Sequence, residues 1–149
     1  MHGTGGQIVD QATIFNFMSG FRYGVVSSVA VDGSPQSALV AIAVTPQLEI
    51  VFDTVKSSRK YANLIARPHC SFVVGWGGEQ TVQYEGIAFE PAGAEAEYYR
   101  RAYFAVWPDG SSRLSWAGLT HFAVKPLWVR LSDFDRAPTL IVELRFPEP

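Results

Sequence analysis

The stretch FDTVKSSRKYANLIARP, Phe52–Pro68, combines the end of a strand, a turn and a short helix. Ser57 or Ser58 stands where an N-terminal cap is expected, and apolar residues then follow at helical spacing until the proline ends the helix. Arg59 and Lys60 occupy the first turn, where the helix dipole and the unpaired N–H groups are already positive, so each cation costs about 0.3–1 kcal/mol. An anion bound at the helix start would remove this cost. The alternative is that both side chains extend into water, and the physics of the stretch leaves the two possibilities open.

The bulk properties predict a single folded domain. The chain has 149 residues, of which 48% are apolar and 17% are charged. This length predicts one domain over residues 1–149, with the glycine-rich residues 1–7 as a flexible leader. The low charged fraction leaves little polar surface to cover a monomer, so we expect part of the surface to be buried in a partner subunit.

Composition and spacing argue against several classes of function. The formal net charge is −2 and no long run of Lys or Arg occurs, so we expect no nucleic-acid partner. Cys70 is the only cysteine, and the three histidines lack the spacing of a metal site. The sequence has neither an apolar run long enough for a membrane span nor a signal peptide. We therefore predict a cytoplasmic protein that binds no metal and no membrane.

The spacing of apolar residues predicts three helices. Asp10 as a cap and Gly20 as a stop enclose the first, and the segment 94–108 forms the third. The middle helix is that of the opening stretch. Its buried face is expected to consist of Tyr61, Leu64 and Ile65.

Alternating apolar and polar residues predict six or seven strands. Asp32-Gly33 marks a hairpin between the first two strands, and Pro126 is expected to break a long strand near the C-terminus. The strands are joined by hairpins or short helices rather than in a βαβ rhythm. We therefore predict a mainly β fold with some α-helix, an antiparallel sheet closed into a small barrel.

The opening stretch also resembles a segment of a known protein family. The F-x-T-N-x-x-S-R-K segment of pyridoxamine 5′-phosphate oxidase and its relatives, the FMN-binding split-barrel family, is matched by Phe52, Thr54, Ser58, Arg59 and Lys60. The hairpin before this segment, LIARPH after it, and the strands VQYEGIAFE and WVRLSDF are similar to family segments in the same order. The resemblance covers most of residues 21–134 and implies an antiparallel split barrel.

The resemblance implies FMN as the cofactor and assigns residues to it. The family's Arg and Lys bind the FMN phosphate and ribityl region, and these roles fall on Arg59 and Lys60. The strand-end Thr54 helps to hold the cofactor, and Ser58 is the helix cap beside the phosphate. Asp53 replaces an aromatic residue of the oxidase, so its backbone is the expected contact.

The resemblance makes four further residues candidates for cofactor contacts. Gln80 or Thr81 is the nearest match to a family Gln that touches the flavin from a neighbouring strand. In family dimers, residues of the C-terminal strands reach the flavin of the other subunit, which makes Trp128 and Arg130 candidates. The sequence identifies no catalytic residue.

The implied function is an FMN-dependent oxidoreductase that acts, as a homodimer, on a small molecule. Pyridoxamine phosphate is not the expected substrate, because Ala38 and Ala43 stand where the oxidase has an Arg and a Lys that handle phosphates. The segment WVRLSDF also lacks a His and an Arg of the oxidase's R-L-H-D-R. Two alternatives stay open: a non-catalytic protein that binds or sequesters flavin, and the same fold with a deazaflavin or haem ligand.

Overall fold

The computed structural model describes residues 4–149. Within this range the chain forms three α-helices, eight β-strands and one 3₁₀ segment, Pro108–Ser115. The helices are α1 (Thr4–Met18), α2 (Arg59–Ala66) and α3 (Gly93–Val106). The strands are β1 (Tyr23–Val29), β2 (Pro35–Ala41), β3 (Ala43–Val44), β4 (Ile50–Val55), β5 (His69–Val74), β6 (Gln80–Phe89), β7 (Leu119–Asp133) and β8 (Leu140–Arg145). The fold is therefore mainly β with α, as predicted.

The sheet is antiparallel and closes into a barrel. The strand order is β2-β1-β5-β6-β7-β4-β3, and β8 extends the sheet by pairing with β7. Only Ile42 separates β2 from β3, so the segment Pro35–Val44 pairs first with β1 and then with β4, at opposite ends of this order. This interruption explains why eight strands appear where six or seven were expected. The prediction of a split barrel is confirmed.

Apolar side chains fill the barrel and also cover part of its outer surface. Inside, the ring of Phe52 lies between those of Phe72 and Phe122, with centroid distances of 5.9 and 5.7 Å. Outside, α3 covers β4 and β7, where Val51 and Ala123 are buried. Both faces of β4 are thus partly apolar, because one faces the barrel and the other faces a helix.

The prediction that Pro126 breaks the last long strand is wrong, because β7 is continuous. β7 pairs with β4 as far as Val124 and with β8 from Trp128 onward. Pro126 lies between these two ladders, where a missing N–H costs no ladder hydrogen bond. On its other side, opposite Gly86, the register with β6 shifts and absorbs Leu127 as a bulge.

Two helices differ from their predicted form. α1 begins at Thr4 rather than after Asp10, so residues 4–7 are helical where a leader was expected, and residues 1–3 lie outside the described part. In α2, Ile65 is 54% exposed, contrary to the prediction, while Asn63 is buried beside Leu64. The buried face of this eight-residue helix is thus rotated toward Asn63.

Candidate functional site

The start of α2 is fixed by two hydroxyl groups. Ser58 adopts the extended conformation of a cap, and its Oγ accepts a hydrogen bond from the Tyr61 N–H at 3.2 Å. The Thr54 hydroxyl, at the end of β4, lies 2.9 Å from the Ser58 Oγ. The predicted cap is confirmed. The side chains of Arg59 and Lys60 therefore extend from a fixed backbone position, beside the N–H groups of the first helical turn that have no partner within the helix.

A small cleft of about 100 Å³ opens between the start of α2 and the strands β1 and β2. The residues that line this α2 cleft are Val26, Ser28, Gln36, Ser37, Ala38, Arg59 and Lys60. Among these described residues, the only charged side chains are the two cations. The cleft has the size and the charge for a phosphate-like group.

A buried amide orients the polar side chains of the α2 cleft. Asn63 Nδ2 donates to Ser28 Oγ at 3.1 Å and to Gln36 Oε1 at 2.9 Å. Since both groups accept from Asn63, the Ser28 O–H and the Gln36 amide N–H groups are left to donate elsewhere. The same network that satisfies Asn63 thus presents neutral donors next to two cations.

Sequence reasoning missed these three residues. Ser28 and Gln36 carry no local signal, because a serine and a glutamine in a hairpin are typical of a solvated strand face. Asn63 carries none either, because the spacing of Tyr61, Leu64 and Ile65 predicts the opposite side of α2 as the buried one.

The side chain of Asp53 lies away from the α2 cleft. Successive residues of a strand point to opposite faces, so Asp53 and the neighbouring Thr54 diverge. The Asp53 carboxylate accepts from Arg113 Nε at 3.1 Å in an ion pair beneath the 3₁₀ segment. Only the backbone of Asp53 remains available as the predicted cofactor contact.

The remaining predicted contacts are not brought to the α2 cleft within one chain. Ser27, next to Ser28, pairs with Ser71, which pairs with Glu85. Thr81 lies four residues further along β6, roughly 13 Å away at the usual strand rise. Its neighbour Gln80 donates to Asp133 at 3.4 Å.

Trp128 and Arg130 lie on the outer face of the sheet, on β7. Trp128 Nε1 donates to Glu143 on β8 at 2.8 Å, and Arg130 is paired with Gln83 of β6. On the same side, the buried Thr81 Oγ1 has no hydrogen-bond partner within residues 4–149. These residues can reach a ligand in the α2 cleft only if it belongs to another copy of the chain.

A second, larger groove adjoins the α2 cleft. It has a volume of about 330 Å³ and shares Ser28 with the cleft. The other residues that line this outer groove are Ser27, Val29, Pro35, His69, Cys70, Ser71, Glu85, Gly86 and Leu127. Burial raises the pKa of Cys70 to about 12, so its thiol is not a nucleophile at neutral pH.

The described part of the chain contains no cluster of three or more His, Cys, Asp or Glu side chains that could hold a metal ion. Between residues 4 and 149, no helix has the length and apolar character needed to cross a membrane.

Two solved structures illustrate how widely this fold is shared. A haem-binding protein from Mycobacterium smegmatis is 14% identical with a TM-score of 0.75, and the match covers 97% of this chain and 59% of that chain. A pyridoxamine 5′-phosphate oxidase-related, FMN-binding protein from Nostoc punctiforme is 11% identical with a TM-score of 0.63, and the match covers 99% and 98%. At these identities, the likeness shows the fold alone.

Sequence comparison is more specific. The chain is 33% identical over 93 residues to pyridoxine/pyridoxamine 5′-phosphate oxidase of Thermosynechococcus vestitus, a match over 62% of this chain and 42% of the relative. The corresponding oxidase of a Nocardioides species is 33% identical over 94 residues. The chain thus spans less than half the length of these curated relatives. A family model described as pyridoxamine 5′-phosphate oxidase matches residues 11–131. Because that match covers most of the chain, the protein belongs to the pyridoxamine 5′-phosphate oxidase family.

Proposed function

We propose that the protein binds FMN, with the phosphate in the α2 cleft, and uses it to oxidise or reduce a small molecule. The observation that carries the proposal is the α2 cleft, in which Arg59 and Lys60 face the free donors of Ser28 and Gln36. A dianionic phosphate would be met by charge-assisted hydrogen bonds, by helix N–H groups and by the helix dipole at once.

The residues of the chain would bind and orient the cofactor. A bound flavin supplies the hydride chemistry itself, so the protein needs no separate acid–base pair. Arg59 and Lys60 would hold the phosphate, and the Thr54–Ser58 pair would fix the helix that carries them. The outer groove beyond Ser28 offers room for the remainder of the ligand.

A phosphorylated substrate is not proposed. Ala38 lines the α2 cleft without a charge, and Ala43 is buried beneath α3 against Tyr99 and Tyr103. Neither position can donate the charge-assisted bonds that a second phosphate needs. We therefore infer a small substrate without a phosphate group.

We further infer a homodimer formed through the outer face of the sheet. On this face, Leu39 and Val73 are 62% and 41% exposed, and both pair with Val25. Adjacent exposed apolar side chains favour a partner subunit. A second copy would also bring Trp128 and Arg130 to a cofactor site.

A flavin-binding protein without catalysis is the second candidate. It is supported by Ala38 and Ala43, which leave the chain without the two cations that bind substrate in the oxidase. The two candidates share the cofactor and differ in turnover.

The absorbance spectrum of the purified protein tests both proposals. We expect a flavin spectrum, or its appearance on titration with FMN, and weaker binding of riboflavin, which lacks the phosphate. Anaerobic reduction by NADH or NADPH, followed by reoxidation with a small acceptor, distinguishes an enzyme from a binding protein. A haem or deazaflavin spectrum, or no binding of FMN, would overturn the proposed cofactor.

A further inference from the structure

The 3₁₀ segment is anchored to the barrel through Arg113. Its Nε donates to Asp53 at 3.1 Å and its terminal NH2 group donates to the Tyr103 hydroxyl at 3.2 Å. The side chains of Arg113 and Asp53 are only 19% and 16% exposed, so the ion pair is largely shielded from water. Leu114 and Trp116, by contrast, are more than half exposed. Arg113 is therefore the principal polar anchor of this part of the segment.

The loop between the 3₁₀ segment and β7 contacts the turn that leads into α2. In this loop the Gly118 carbonyl accepts from the Lys56 N–H at 2.8 Å. On the other side of this turn, Thr54 contacts Ser58. Since Asp53 directly precedes Thr54, the anchor and the helix cap lie on neighbouring residues of one strand.

His121 faces the anchor from the neighbouring strand. It lies directly opposite Asp53 in the β4–β7 ladder and is 6% exposed. Its Nε2 has no hydrogen-bond partner within the described chain, and its ring meets Tyr103 and Phe104 edge-on at 5.3 and 5.7 Å between centroids. Burial, as the main cause, lowers the pKa of His121 below the ordinary value.

The charged and titratable groups around His121 come from three elements. They are Asp53 on β4, Arg100 and Tyr103 on α3, and Arg113 in the 3₁₀ segment. A protonated imidazole would attract the Asp53 carboxylate and repel both arginines. It would therefore compete with Arg113 for the carboxylate that anchors the segment.

We propose that Arg113 and Asp53 form a clamp that holds the 3₁₀ segment on the barrel, and with it the loop that contacts the turn before α2, and that protonation of His121 releases it. The clamp residues are positioning residues, because they act on the α2 cleft through Thr54 and Lys56 and do not line it. Only the effect on FMN rests on the proposed function. The clamp itself is a property of the protein without ligand.

Hydrogen exchange of the ligand-free protein tests the clamp at about pH 7.5 and about pH 5. The lower pH is set well under the ordinary histidine pKa of roughly 6.5, because burial lowers the pKa of His121. After correction for the intrinsic rate, we expect the Gly110, Trp116 and Lys56 amides to exchange roughly tenfold faster at the lower pH, as loss of a charge-assisted bond predicts.

R113Q is expected to show fast exchange at both pH values. H121F is expected to stay slow at both, because a phenyl ring suits the aromatic surroundings. R101Q makes the same charge change on the exposed side of α3 and should behave as wild type.

Exchange in the wild type that does not depend on pH would overturn the clamp. So would slow exchange in R113Q at about pH 7.5, or a pH response that persists in H121F. If H121F does not fold, as judged by circular dichroism, H121N takes its place.

FMN titrations of the wild type and R113Q at about pH 7.5 test the positioning role. A several-fold weaker affinity of R113Q is expected, and equal affinities would overturn that role. Failure of the wild type to bind FMN at all would overturn the proposed function and leave the exchange result intact.

Discussion

The hydroxyl groups of Thr54 and Ser58 lie 2.9 Å apart and join the end of β4 to the cap of α2. The same Ser58 Oγ accepts from the Tyr61 N–H. The position of the two cations that follow, Arg59 and Lys60, is therefore set by a barrel strand as well as by the helix. This relationship makes the cap a test of both stability and binding.

Ser58→Ala removes the cap of α2. We expect the free energy of unfolding to fall by about 0.5–2 kcal/mol, as for other N-caps, and FMN affinity to fall with it. Urea denaturation and FMN titration measure the two effects. Ser57→Ala, one residue earlier and exposed, is the matched control. Unchanged stability would show that the Thr54–Ser58 contact contributes little.

Replacing Arg59 and Lys60 together by alanine removes two charge-assisted contacts. FMN affinity should fall by about 3–5 kcal/mol, while riboflavin should lose far less. Without ligand, the double variant should be as stable as the wild type or more stable, by up to about 1 kcal/mol for each cation removed from the first turn. Calorimetric titrations with both ligands and thermal melts measure these effects, with Arg101→Ala as the control. Equal losses for FMN and riboflavin would place the phosphate elsewhere.

The proposed homodimer predicts about twice the 16.4 kDa chain mass in sedimentation at micromolar concentration. Leu39→Asp should give monomers and weaker FMN binding, because it places a charge on the apolar outer face. Val31→Asp is the control, since Val31 is 88% exposed near the hairpin turn. A monomeric wild type that binds FMN tightly would contradict the dimer.

Gly86→Ala should destabilise the barrel. An added Cβ would lie 2.6 Å from the Lys125 carbonyl oxygen and 2.7 Å from a methyl carbon of Val124, and backbone on the partner strand cannot move cheaply. We expect a loss of about 1–3 kcal/mol in unfolding free energy, the usual range for overpacking. Gly77→Ala, which meets nothing within 4 Å, should change little in the same denaturation experiment.

Cys70 should resist alkylation in the native protein. Burial raises its pKa to about 12, so almost no thiolate is present at neutral pH. Iodoacetamide labelling followed by mass spectrometry should be slow until denaturant is added. Because the unfolded thiol ionises at about pH 8.5 and the native thiol does not, stability should fall as the pH rises above that value, and less so in Cys70→Ala. Rapid labelling of the native chain would contradict the burial.

Local signals predicted the parts of the fold that depend on neighbouring residues. The Asp32-Gly33 hairpin and the Ser58 cap both appear where the sequence placed them. The polar network of the α2 cleft could not be found in this way. Asn63 meets Ser28 and Gln36 only because the barrel brings a helix over two earlier strands.

The same limit explains one unforeseen contact and one error. The side chain of Asp53 is occupied by Arg113, which lies 60 residues away in the chain, and no spacing rule connects them. Pro126 is tolerated because one edge of β7 changes its partner strand there, from β4 to β8. The sequence of β7 alone does not show this change.

The double pairing of Pro35–Val44 has a consequence for how the chain folds. β2 meets β1 through a tight turn, so this hairpin forms from local contacts. β3 belongs to the other end of the sheet and depends on β4, whose main partner β7 is distant in sequence. Closing the barrel therefore waits for non-local pairing, whose loop-closure entropy slows folding. Until then, β3 has no strand partner, and this half-closed chain is the species most prone to aggregate during refolding.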